Sequence, residues 1–287
     1  MNDHTSVTGP PDWLHVTEGS APLLLSVPHS GTRIPPAVGA GLASAFLATC
    51  DTDWWVDQLY GFAAELGATM VRTELSRTVI DVNRDPSGQS LYPGQATTGL
   101  CPLTTFDGTP LYRPGLEPDQ DAVAARTRQY FTPYHAALAA QLARLQARHP
   151  RVVLYDCHSI RSHVPRLFPG ELPQFNLGTH SGASCDPRLR HIVTQRCAES
   201  GDSYVVDGRF KGGYITRHYG RPQAHCHALQ MELACRGYLA EPQQALHAGN
   251  WPAPFDAVRA RALRATLRRV LEACVAFASV QSGGQSC

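Results

Sequence analysis

Short, unbroken apolar runs that end in turn residues constrain this chain more than any other feature. The run 22–27 (PLLLSV) is followed by Pro28-His29-Ser30-Gly31, and the run 152–155 (VVLY) by Asp156-Cys157-His158-Ser159. A strand without polar alternation needs cover on both of its faces. Helical periodicity stands between and after these runs. Residues 52–66 place Trp55, Leu59, Phe62 and Ala63 on one side, with Gly67 as a stop. Residues 119–149 predict a helix interrupted or restarted at Pro133, and 187–200 a second helix. Residues 256–280 predict a last one, with Asp256 as N-cap and Leu263, Leu267, Val270, Leu271, Cys274 and Val275 on one face. Further strands are expected at 68–72, 78–82, 203–206 and 225–233. Strands alternating with helices predict an α/β fold, a three-layer α/β/α sandwich around a mixed, largely parallel sheet. No repeat or linker divides the chain. We read 1–21 as an N-terminal extension, 22–280 as a single catalytic domain and 281–287 as a flexible C-terminal tail.

Composition removes several function classes. The 287 residues carry 25 Lys and Arg against 24 Asp and Glu, which argues against a domain-wide nucleic-acid or anionic-membrane surface. The arginines at 259, 261, 264, 268 and 269 are best taken as the solvated face of the last helix. The first twenty residues hold no apolar signal core, and no apolar stretch approaches the roughly 20 residues of a membrane span. Nine scattered cysteines, with no CxxC pair, fit free thiols rather than a disulfide framework or a thiolate zinc site. The expectation is a cytoplasmic protein.

Ligands of open α/β sheets sit beyond the carboxyl ends of the strands, and His29 and His158 both occupy that position. Catalytic zinc is commonly held by two histidines and a carboxylate. The nearby carboxylates are Asp51 and Asp53, either of which could instead cap the following helix; Asp53 is favoured. The segment 76–84 (SRTVIDVNR) delivers Asp81, Asn83 and Arg84, with Arg77 at its start, and arginine suits carboxylate recognition. Asp81 and Arg84 could equally form a supporting ion pair. A Gly-rich loop at 208–220 brings Arg209, Lys211 and Arg217, with Arg221 just after, but it lacks the order of a phosphate loop. Glu232 lies in an otherwise apolar strand, where a carboxylate needs a reason such as general-base work or an ion pair with a loop arginine. His225 and His227, two apart, rank below His29 and His158 as ligands. The 87–118 stretch, rich in Gly, Pro and Thr, is long for an idle connection, and 94–99 is a candidate wall or lid.

The runs VPHSGTRIP (27–35), DTDWWVDQLY (51–60), SRTVIDVNR (76–84), SLYPGQATTGLCP (90–102), DCHSIRS (156–162), FNLGT (175–179) and GRFKGGYITRHYGRP (208–222) resemble the N-formylglutamate amidohydrolase family. The likeness spans 22 to about 275. It implies a fold distantly similar to the zinc carboxypeptidases and aspartoacylase. It also implies hydrolysis of N-formyl-L-glutamate, a small dianionic substrate, to formate and L-glutamate, which ends a route of histidine degradation. By the same resemblance His29, Asp53 and His158 hold Zn²⁺ or another divalent metal, and Glu232 is the general base. Asn83 and Arg84, helped by Arg77 and Arg217, bind the substrate carboxylates. The relatives place the metal carboxylate three residues after the first histidine; Thr32 stands there, so Asp53 must fill that role from further along the chain. Three competing functions are a zinc hydrolase of another N-acyl amino acid or a C-terminal peptide bond, a thiol hydrolase using Cys157, and a non-catalytic acid-binding protein. The thiol reading is weak on geometry, since neighbours in a strand point to opposite faces.

Overall fold

A computed structural model describes residues 11–89, 94 and 97–280. Seven strands form one sheet: β1 (Leu14–Thr17), β2 (Leu23–Val27), β3 (Thr69–Thr73), β4 (Val152–Ile160), β5 (Phe175–Gly178), β6 (Tyr204–Val206) and β7 (Cys226–Ala234). Their order is β1-β3-β2-β4-β7-β5-β6. The central four, β3, β2, β4 and β7, are parallel. β1 joins β3 antiparallel at one edge, and β5, itself parallel to β6, joins β7 antiparallel at the other. The sheet is therefore mixed and largely parallel, as the apolar runs predict. Leu14–Thr17, within the segment read as an extension, supplies an edge strand.

The helices are α1 (Pro36–Gly39), α2 (Val56–Leu59), α3 (Gln120–Arg126), α4 (Thr132–Gln146), α5 (Pro187–Ala198), α6 (Tyr214–Tyr219) and α7 (Ala260–Ser279). One core packs α2, α5 and α7 against Leu23, Leu25, Val27, Val153, Tyr155, Leu229 and Met231. The other packs α4, through Tyr134, Leu138, Leu142 and Leu145, against Leu24, Val71, Leu154 and Ala228. Strand periodicity sorts alternate residues into the two cores, and helices on both faces complete the three layers. Leu263, Leu267, Val270, Leu271 and Cys274 of α7 are buried as expected. Two of its arginines, Arg264 and Arg268, lie over the Phe62 ring.

Several expected elements differ. Residues 52–66 split into α2 and a 3-10 segment Gly61–Leu66, which ends at left-handed Gly67. The helix starts afresh at Pro133, one of the two expected outcomes: a π-turn at Thr127–Phe131 stands between α3 and α4 and leaves Pro133 in the first turn of α4. Asp256 caps the turn before α7, accepting from Val258 N and Arg259 N. The expected strand 78–82 is absent. That segment crosses the carboxyl end of β3 as buried turns, with Asp81 N donating to Leu100 O rather than to a ladder. Among the described residues no helix is long and apolar enough to cross a membrane, and all eight described cysteines are buried and unpaired.

Candidate active site

β4 and β7 extend past the apolar core, and their character changes as they do. In β4, Val152 and Leu154 belong to the α4-side core, while Asp156 and His158 on the same face are polar. In β7, Cys226 and Ala228 give way to Gln230 and Glu232. The parallel register sets Asp156 beside Gln230 and His158 beside Glu232, so four polar side chains share one face at the carboxyl end. The odd-numbered neighbour Cys157 enters the opposite core, where burial pushes its thiol well above the usual range. A Cys157–His158 nucleophile pair is thereby excluded.

His29 follows β2. Its carbonyl accepts from Asp53 N at 3.0 Å, which brings the 50–54 turn onto the sheet end. Asp53 is buried, with Oδ2 3.0 Å from His158 Nδ1, 3.1 Å from Ser159 N and 3.8 Å from His29 Nδ1. Asp51 turns elsewhere: its Oδ2 accepts from Phe106 N at 2.6 Å and neither oxygen joins the histidines. Ligand atoms of His29, Asp53 and His158 lie within 4.8 Å of one another. The histidine tautomers are set by carboxylates, which can only accept. His29 Nε2 donates to Asp81 Oδ1 at 2.7 Å and His158 Nε2 to Asp156 Oδ2 at 2.9 Å. His29 Nδ1 is thereby left with its lone pair and, though buried, has no hydrogen-bond partner, whereas His158 Nδ1 also donates to Asp53 Oδ2 at 3.0 Å, with a proton that a bound cation would displace. Two imidazole nitrogens and a carboxylate, each histidine backed by a second carboxylate, suit a divalent cation such as zinc.

Charge around the cluster is strongly coupled. Burial opposes ionisation of Asp53, but the His158 hydrogen bond and the nearby His29 imidazole outweigh it and hold the carboxyl below the usual range. Asp81 is also held low against burial, by Arg84, His29 and Arg77. Glu232 makes no ion pair within 4 Å among the described residues, and burial pushes it up to about 7 against the opposing pull of His158 and Arg77. Its Oε2 accepts from Gln230 Nε2 at 3.2 Å, and Gln230 Oε1 in turn accepts from Gly213 N at 2.7 Å.

A cleft opens on this cluster, bordered by His29, His158, Glu232, Asn83 and three arginines, Arg77, Arg84 and Arg209. The expected substrate contacts divide here. Arg84 reaches the cleft, donating from Nε to Thr98 O at 3.0 Å and from Nη2 to Thr98 Oγ1 at 3.1 Å. Arg77 is shared between Asp53 (3.3 Å) and Asp81 (2.7 Å). The Asn83 amide is spent internally: Nδ2 donates to Asp156 at 3.0 Å and Oδ1 accepts from Ile215 N at 2.8 Å. Arg217 does not border the cleft; its Nε donates to Gly212 O. His227 lies at the opposite, amino-terminal end of β7, with Nδ1 accepting from Asp186 N. Of the 94–99 loop, Thr97 and Thr98 line the cleft, while Gln95 and Ala96 lie outside the described residues. Sequence reasoning passed over Asp156 and Gln230 as site residues. Each stands two positions before a residue it had singled out, the spacing that puts both on one strand face.

The N-formylglutamate amidohydrolase family model matches residues 21–239. N-formylglutamate deformylase of Pseudomonas aeruginosa is 49% identical over 265 residues, covering 92% of this chain and 96% of the relative. The enzyme of that name from Pseudomonas putida is 47% identical over 251 residues, covering 87% and 94%. Among solved structures, N-formylglutamate amidohydrolase from Ralstonia eutropha superposes with a TM-score of 0.72 at 25% identity, over 91% of this chain and 98% of that one. A protein of Agrobacterium tumefaciens, 18% identical, shares the fold at a TM-score of 0.66 over 92% and 95%. With its histidine–carboxylate cluster at the carboxyl end of a mixed sheet, the chain belongs to the N-formylglutamate amidohydrolase family.

Proposed function

We propose that the protein is an amidohydrolase that cleaves N-formyl-L-glutamate to formate and L-glutamate, as the last step of a histidine degradation route in the cytoplasm. The observation that carries this reading is the buried His29–Asp53–His158 cluster opening on the same cleft as Glu232, in a chain so similar to two N-formylglutamate deformylases. Zinc, or another divalent ion, would be held by His29 Nδ1, Asp53 and His158 Nδ1, and would supply Lewis acidity that acidifies water and polarises the formyl carbonyl.

The chain's own residues do the rest. Glu232, lifted to about 7 by burial, is poised to take a proton from the attacking water near neutral pH and return it to the departing amine. The Gln230 hydrogen bond holds the Glu232 carboxylate on the cleft side. Asp81 and Asp156 accept from the two Nε2 atoms, so that each Nδ1 is the nitrogen turned toward Asp53 and the position an ion would take. Arg77 offsets the charge of Asp53 and Asp81, so the acidic residues can stay ionised together. Asn83 ties the start of α6 to Asp156. Arg84 presents a cation to a substrate carboxylate from the rim.

Formate release from N-formyl-L-glutamate, measured before chelation, after it and after zinc return, tests the reading. Activity should disappear on removal of metal and recover on its return. Full activity in verified metal-free protein would end the metal-assisted mechanism.

A further inference from the structure

Three arginines border the cleft, but they stand in different electrostatic positions. Arg77 is buried and bridges Asp53 and Asp81. Arg84 sits beside the cluster, its Nη2 3.8 Å from Asp81 Oδ2, the second oxygen of the carboxylate that orients His29. Arg209 comes from a different wall, on the loop between β6 and α6, and its Nε donates to Leu167 O at 2.8 Å.

The Arg209 loop is held at several points. Asp207, at φ +51°, accepts from Thr179 N at 2.7 Å and Ser181 N at 3.2 Å. Lys211 O accepts from His180 N at 2.7 Å, and Gly213 N donates to Gln230. Side chains at two loop positions are sterically barred: a Cβ on Gly213 would lie 2.5 Å from the Asn83 amide, and Gly212 has φ +103°. A loop pinned in this way carries its guanidinium with little ordering left to do on binding. Phe106, Ile160, Leu167 and Phe210 give the same cleft an apolar wall.

The substrate of the reading above has one carboxylate next to the scissile amide and another two methylenes away. The first has to lie near the cluster, where Arg84 stands. The second, carried past an apolar wall, calls for a cation on another side of the cleft. We propose that Arg209 is the specificity-determining residue for the side-chain carboxylate, and that Arg84 receives the carboxylate adjacent to the amide. The assignment rests on the proposed deformylase activity and replaces Arg77 and Arg217 as partners of the two substrate carboxylates. A guanidinium placed for a carboxylate discriminates against an isosteric amide, which leaves it without its counter-charge.

The test compares kcat/KM for N-formyl-L-glutamate and N-formyl-L-glutamine in the zinc-loaded wild type, R209A, R209Q, R209K and R84A, with zinc content and circular dichroism as checks. R209A and R209Q should lower kcat/KM for the glutamate substrate by about 100-fold, chiefly through KM, and bring the glutamate-to-glutamine ratio close to one. R209K should keep part of the ratio. R84A should depress both substrates and leave the ratio largely in place. A ratio as high in folded R209Q as in wild type would overturn the Arg209 assignment while leaving the deformylase reading intact. A zinc-loaded wild type that releases no formate from N-formyl-L-glutamate would overturn that reading, and the assignment with it.

Discussion

In the proposed reaction, the residue that separates catalysis from mere ligand binding is Glu232. A carboxylate this buried is costly unless it is paired or put to use, and its nearest polar support is a neutral amide, Gln230. The other three carboxylates of the cluster, Asp53, Asp81 and Asp156, each meet a histidine at 3.0 Å or less. E232Q keeps the shape of the side chain and removes its basicity, so the protein should retain its metal while kcat falls by about 10²–10⁴. Near-normal kcat with full metal content would take Glu232 out of the mechanism. The oddity of Glu232 is visible in the chain itself, because it interrupts an apolar strand. The internal contacts of Asn83 and Arg77 are not visible there. Both are polar residues in a promising segment, and only the fold shows Asn83 bonded to Asp156 and Ile215 and the Arg77 Nη atoms bonded to Asp53 and Asp81.

At the scale of elements, the seam between α4 and α6 depends on a half-buried histidine. His135 of α4 donates from Nε2 to Val82 O at 2.8 Å, and its Nδ1 faces the Tyr219 hydroxyl of α6 at 3.0 Å. Burial pushes His135 down to about 4, so the fold holds it neutral. Its value in the unfolded chain is about 6.5. Between those two values the unfolded state binds more protons, so stability rises with pH across the window. The contribution is complete above about pH 6.5, fades as pH falls toward 4, and is on the order of 3 kcal/mol in all. Urea midpoints recorded from pH 7 to pH 4 should fall, and H135N should flatten that slope. Equal slopes in the two proteins would place the acid sensitivity elsewhere. The same seam explains why 78–82 is not a strand. Val79, Ile80 and Val82 bury into the α4-side core as strand residues would, but the backbone finds its partners in turns and in Leu100. Apolar patterning reports burial, and here burial came without a ladder.

For the whole molecule, the four carboxylates and two histidines gathered at one sheet end would make the proposed metal binding a matter of stability as well as chemistry. A ligand that binds only the folded state stabilises it by about 2.7 kcal/mol at 100 times its Kd. Thermal unfolding of metal-free protein should therefore move several degrees upward on zinc addition, and H29A should show much less of that shift. An identical rise in both proteins would mean that zinc acts at another place. The sheet itself makes the convergence possible: parallel β2 and β4 deliver His29 and His158 to one edge because their carboxyl ends point the same way.

What the sequence determined by itself was whatever depends on local pattern. Unbroken apolar runs specified buried strands, helical spacing specified the covering helices, and the position of two histidines at strand ends marked the functional edge. A glutamate interrupting an apolar strand marked a polar position that faces the cleft. Tertiary structure alone decided which polar residues meet. Asp53 rather than Asp51 joins the histidines because its amide bonds to the His29 carbonyl, and Arg209 rather than Arg217 borders the cleft because of how its loop is pinned. The physical reason is the range of the interactions involved. Burial and helix formation follow from neighbours a few residues apart, whereas a hydrogen bond or ion pair forms between groups that only the folded chain brings within about 3 Å.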